Sequence, residues 1–67
     1  MNLRKYFNEN VKIIYKDGEE ITGYVEVYTP AIDTDEGLHD EIVVKDSPQY
    51  PGLNEVGAEE IDSIEII

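Results

Sequence analysis

VKIIYKDGEEITGYVEVY, residues 11–28, has the pattern of two strands joined by a tight turn. Val11, Ile13 and Tyr15 alternate along the first run, and Ile21, Val25 and Val27 along the second. Period-two alternation of β-branched and aromatic residues is the signature of a strand with one face in a core. Asp17-Gly18 lies between the runs. Such a dipeptide favours a two-residue hairpin turn, because both residues tolerate the positive φ that primed turns require. Gly23 falls where the inward series of the second run should continue. Glycine inside a strand marks a sharp bend or a close approach of another backbone. The spacing therefore predicts strands over 10–16 and 19–28, the second bent at Gly23.

Further strands are predicted over 40–45, 53–58 and 63–67, with a single 3₁₀ turn over Glu59–Asp62. The segment 46–53 carries Pro48 and Pro51, which cannot donate to a central ladder, and reads as a connection. Before the first strand, Leu3, Tyr6 and Phe7 share one helical face, which predicts a short helix over about 2–8 that Asn8-Glu9-Asn10 ends. The fold class is mainly β: a short N-terminal helix followed by a five-stranded, strongly bent antiparallel barrel. Residues 1–67 form one domain, because so short a chain holds a single core.

Composition narrows the function. There is no cysteine and a single histidine, so no disulfide and no structural zinc site is available. A domain of this size buries only roughly 60% of its unfolded surface, and self-association is the remaining common source of buried area. No apolar run approaches a membrane span or a signal peptide, and the expected location is cytoplasmic. Sixteen Asp and Glu stand against five Lys and Arg, for a net charge of −11. The balance is uneven along the chain. Arg4, Lys5, Lys12 and Lys16 precede Asp17, and only Lys45 follows it, among fifteen acids. Such a surface repels phosphate backbones and anionic membranes. It disfavours RNA and suits a protein partner, or at the extreme an acidic mimic of nucleic acid that occupies a basic protein.

No pattern supports an enzyme. His39-Asp40 has the form of a base with its orienter, but no nucleophile converges on it, since Ser47 and Ser63 belong to unrelated segments. Asp33, Asp35 and Glu36 supply loop carboxylates that bind a divalent cation weakly at most. Counting an EF-hand from Asp33 puts Leu38 at the glycine position and Val44 at the bidentate glutamate position, which excludes that motif. No cofactor motif is present, and no cofactor is expected.

The hydrophobic strand, Asp17-Gly18, then Gly23, Val25 and Tyr28 resemble the first motif of the Sm-like family of small β-barrels. The likeness extends to the short N-terminal helix and the closing Ile61–Ile67 strand. With YTPAID, YPGL and the terminal DSIEII, the chain is similar to short Sm-like proteins of Gram-positive bacteria and their phages. The resemblance implies subunits that join by pairing the fourth strand of one with the fifth of the next. It also implies, in RNA-binding members, a base site on the loop after the bent strand. Carried over by position, that site is Tyr28, Thr29, Ile32 and Asp33, with Gly57 from the second motif. Here Thr29 and Asp33 replace the family's Asp and Asn, and Val56 stands where a basic residue precedes the glycine. For a protein interface the candidates are Tyr24, Tyr28, Val56, Ile64, Ile66 and Ile67. Tyr24 and Tyr28 are placed together on the outward face of the second strand, and Ile67 has no inward place beside Ile64 and Ile66.

Overall fold

A computed structural model describes residues 2–33, 39–45 and 52–67. Five antiparallel strands form one open sheet: β1 (Asn10–Tyr15), β2 (Glu20–Thr29), β3 (Glu41–Lys45), β4 (Leu53–Gly57) and β5 (Ile61–Ile66). Their order across the sheet is β4-β3-β2-β1-β5, so β4 and β5 are its edges. Strand-to-strand steps follow the chain except for β5, which returns to lie beside β1.

Instead of the predicted N-terminal helix, one 3₁₀ turn spans Arg4–Tyr6. Three residues cannot offset the cost of nucleating an α-helix, and longer 3₁₀ runs are uncommon. The chain leaves the turn through Asn8, whose φ of 63° is left-handed. It then joins the sheet at once, since the Asn8 N–H donates to the Val25 carbonyl and the Val25 N–H to the Glu9 carbonyl. The turn is nevertheless structural, because it drives Leu3 and Tyr6 into the core.

The hairpin between β1 and β2 differs in detail from the primed turn. Gly18 N–H donates to the Tyr15 carbonyl at 3.0 Å, and Tyr15 N–H to the Glu19 carbonyl at 2.8 Å. Gly18 has φ +94°, while Asp17 is not in the left-handed region. This is the three-residue hairpin, in which a turn is followed by one left-handed glycine. The Asp17 carboxylate contributes by accepting from the Glu19 N–H.

A bulge in β2 changes which residues face the core. Val25 pairs with Val44 and Val27 with Val43, so Glu26 is an extra residue against consecutive partners. A bulge inserts one residue and inverts the alternation beyond it. Val27, predicted inward, is 42% exposed. Tyr28, predicted outward with Tyr24, packs against the core.

The core takes residues from every strand: Val11 and Ile13, Ile21 and Val25, Ile42 and Val44, Val56, and Ile61. Ala58, from the 3₁₀ turn Ala58–Glu60, joins them. That turn lies slightly earlier than predicted, and β5 begins at Ile61. Gly23 lets β3 pass close by: a Cβ there would sit 2.6 Å from both the Lys45 carbonyl oxygen and Val44 Cγ1.

Candidate functional site

At the end of β2 the side chains are organised by one carboxylate. Asp40 Oδ2 accepts from the Leu3 N–H at 3.0 Å and from the Tyr28 hydroxyl at 3.2 Å, and Oδ1 accepts from the Ala31 N–H at 2.9 Å. The Asp40 carbonyl also accepts from the Ala58 N–H at 2.8 Å. One residue thereby ties the N-terminal turn, the Ala31–Asp33 3₁₀ turn, β2 and the Ala58 turn together. The Leu3 N–H, with help from the Ala31 N–H and the Tyr28 hydroxyl, holds the Asp40 carboxyl below its ordinary value, against the opposing effect of burial. Tyr28 is raised, by desolvation first and then by the Asp40 charge. His39 is exposed, while the Asp40 carboxylate is committed to its three donors, so Asp40 acts as a structural tie.

This arrangement decides how the loop positions stand. Tyr28 is half-buried with its hydroxyl engaged, so its ring serves the core side. Thr29 is half-buried at the end of the strand. Ile32 projects at 85% exposure. Asp33 closes the short turn, and its side chain lies outside the described residues, as do Asp35 and Glu36. Among the described residues no three His, Asp or Glu side chains gather as a cation site. Gly57 ends β4 and is buried; its N–H donates to Glu60 Oε2 at 3.0 Å. Across the sheet, the pairing of Ile42 with both Tyr28 and Val56 puts those three in one inward row.

The protein-interface candidates separate into two groups. Val56 is completely buried in the core of the single chain, so it is spent within the fold. Tyr24 stays on the surface at 37% exposure, with its hydroxyl donating to Asn8 Oδ1 at 2.8 Å. Ile64 is partly buried against the core. Ile66 and Ile67 are 50% and 65% exposed at the β5 edge. Leu53, at 65% exposure, occupies the opposite edge on β4. Ile64 and Ile66 pair with the buried Ile13 and Val11, so they face the core side of a strand that has β1 as its one partner strand among the described residues.

One feature was not legible as a site. Asn2, Arg4, Lys5 and Tyr6 from the N-terminal turn, with Ser63 and Ile64 from β5, line an open groove of about 880 Å³. Lys5 Nζ lies 5.2 Å from the centre of the Tyr6 ring, and the Tyr6 hydroxyl points to the Ile64 carbonyl at 3.5 Å. Lys12 and Lys45 form ion pairs with Glu20 and Glu26, whereas Arg4 and Lys5 have no carboxylate at ion-pair distance among the described residues. The signal in the sequence was the crowding of cations into the first sixteen residues, but their meeting with β5 is a product of topology.

Among the described residues no helix is long and apolar enough to cross a membrane. No family model matches the chain, and neither a curated protein nor a solved structure matches it.

Proposed function

We propose that the protein is a non-catalytic, Sm-like binding and scaffold module. It associates with itself through β4 and β5 and contacts other proteins. The observation that carries this reading is the pair of unfinished sheet edges. Of the exposed large apolar residues, Leu53, Ile66 and Ile67 lie on or next to those edges. Edge strands present unpaired backbone groups that favour addition of another strand. An exposed apolar flank strengthens that tendency, since burying apolar surface is the main favourable term in association. The order β4-β3-β2-β1-β5 also suits a strongly bent sheet whose ends are joined by neighbours rather than by each other.

Sedimentation velocity over a range of concentrations tests this. The parent chain is expected to self-associate, and Leu53→Lys or Ile66→Lys to weaken it. Both substitutions lower the net negative charge, so a weaker association reports the edge and not general repulsion. A monomer at every concentration in moderate salt would remove the reading.

Sm-type RNA binding through Tyr28, Thr29, Ile32, Asp33 and Gly57 is the second reading, and the exposure of Ile32 favours it. It ranks lower because cationic contacts dominate nucleic-acid affinity and none flanks Thr29–Asp33 in sequence. Titration of short U-rich RNA at low salt distinguishes the two. Binding lost in the double variant Thr29→Ala, Ile32→Ala would promote it.

A further inference from the structure

We propose that the outward face of β2, β3 and β4, around Tyr24, Val27 and Val43, docks a short amphipathic helix of another protein that carries lysine or arginine beside an apolar stripe. The proposal rests on the protein-contact part of the reading above. It adds which face meets the partner and what that partner must carry.

The register assembles this face from segments distant in the chain. Ile42 and Val44 are buried, so Glu41, Val43 and Lys45 point outward along β3. One crosswise row holds Tyr24, Lys45 and Leu53, and the next holds Val27, Val43 and Glu55. The bulge at Glu26 brings Val27 into the second row, since unbroken alternation from Val25 would turn it into the core. Tyr24, Val27 and Leu53 are exposed, and Val43 is half-buried beside Val27. The Tyr24 hydroxyl donates to Asn8 Oδ1 at 2.8 Å, which holds the ring on the surface before a partner arrives.

Charge selects the partner. Glu26, Glu41 and Glu55 border the apolar side chains, and Lys45, the cation of these rows, is paired with Glu26 at 3.9 Å. These acids repel nucleic acid and anionic lipid, and they complement a cationic peptide. The face offers side chains and no free backbone at its centre, because β2 and β3 each have a strand on both sides. A docked helix suits it better than an added strand. The diagonal from Leu53 to Val27 crosses two strand spacings and two residues of rise, about 12 Å, against about 11 Å for two helical turns. Apolar residues one turn apart then meet the face while the flanking cations reach its acids. A second copy is a poor occupant. It brings the same acids, and its helical elements among the described residues are three-residue turns.

The test uses the full chain and two synthetic helical peptides of leucine and lysine. One has its leucines in a single stripe, and its isomer has the same composition with the stripe scrambled. Calorimetric titration at about 0.15 M salt limits non-specific attraction, since charges are then screened over about 8 Å. The parent is expected to bind the striped peptide about tenfold more tightly than the isomer, the scale of burying a valine-sized side chain. Val27→Ser keeps the net charge and should lose most of that preference while staying folded by circular dichroism. On the unaltered chain, amide shifts in nuclear magnetic resonance should centre on Val27, Val43 and Glu55 when the striped peptide is added. Equal binding of the two peptides, an unchanged preference in Val27→Ser, or shifts centred on Ser63 and Ile64 would overturn the proposal and leave self-association standing. Sedimentation of Val27→Ser should match the parent; weaker association would make the face a contact between copies and overturn the proposal as well. A parent that stays monomeric yet prefers the striped peptide would remove the edge contacts and leave this face.

Discussion

Gly23 and Gly18 are both required, for unrelated reasons. Gly18 has open space around it and a φ of +94°, so its constraint is conformational. Gly23 has no left-handed φ but lies where a Cβ would meet Lys45 and Val44 at 2.6 Å, so its constraint is spatial. Gly18→Ala is expected to cost about 1–2 kcal/mol, the penalty for an L-residue in left-handed backbone. At Gly23 two effects compete. Valine has the better strand propensity, and replacing a strand glycine recovers roughly 0.5–1 kcal/mol of entropy. One of the atoms in the way is a backbone carbonyl in a paired strand, however, and overpacking of this kind costs typically about 1–3 kcal/mol. Overpacking wins, and Gly23→Val should lower the urea midpoint. A raised midpoint would mean that β3 gives way easily and that the strands do not need their close approach.

Among the elements, the N-terminal turn and the Ala31–Asp33 turn after β2 are tied to one another through Asp40, in addition to the backbone hydrogen bonds of the N-terminal turn itself. The Asp40 carboxylate accepts two backbone N–H groups and one hydroxyl, and Asn in its place would aim an N–H₂ at donors. Asp40→Asn should lose about 1–3 kcal/mol at neutral pH, the scale for disrupting hydrogen bonds to a charged group. Its pH dependence follows from the lowered value. A carboxyl depressed on folding contributes stability that is full above its unfolded value, ordinarily 3.8, and is lost as pH falls through the folded value. The parent should therefore lose stability relative to Asp40→Asn on acidification below about pH 5, and the two curves should converge. Thermal melts between pH 7 and pH 2 measure this. A gap that stays constant with pH would assign the loss to packing instead. The bulge at Glu26 acts on the same loop, because it turns Tyr28 inward to meet Asp40 and leaves Val27 outside.

For the whole molecule, charge opposes the association that the edges favour. Each added copy brings eleven more net negative charges. At low ionic strength this repulsion acts across the full molecule, which measures 30 × 24 × 19 Å. Its range shrinks to about 10 Å at 0.1 M salt. Backbone pairing and apolar contact at an edge are not weakened in the same way. Self-association should accordingly strengthen between low and moderate salt, as read by light scattering at fixed concentration. Weakening over that interval would mean that attraction between charges, rather than strand pairing, holds the copies together.

The division between sequence and tertiary structure follows from the range of the forces involved. Alternation in residues 11–25, the need for glycine at 18 and 23, and strands expected over 40–45, 53–58 and 63–67 and found at 41–45, 53–57 and 61–66 are local properties, and they were legible in the sequence. The acid excess and the missing cysteine were equally plain. Three matters were decided only by the fold. Whether Leu3 to Phe7 make a helix or a single turn depended on the sheet capturing Asn8 and Glu9 directly. The facing of Val27 and Tyr28 depended on an unpaired residue in the ladder between β2 and β3, which no pattern within β2 records. The groove of Arg4 and Lys5 depended on β5 returning beside β1, which carries Ser63 and Ile64 to a turn at the far end of the chain. Local alternation sets which residues form strands; register and neighbour order, which come from packing the whole core, set which surfaces those strands expose.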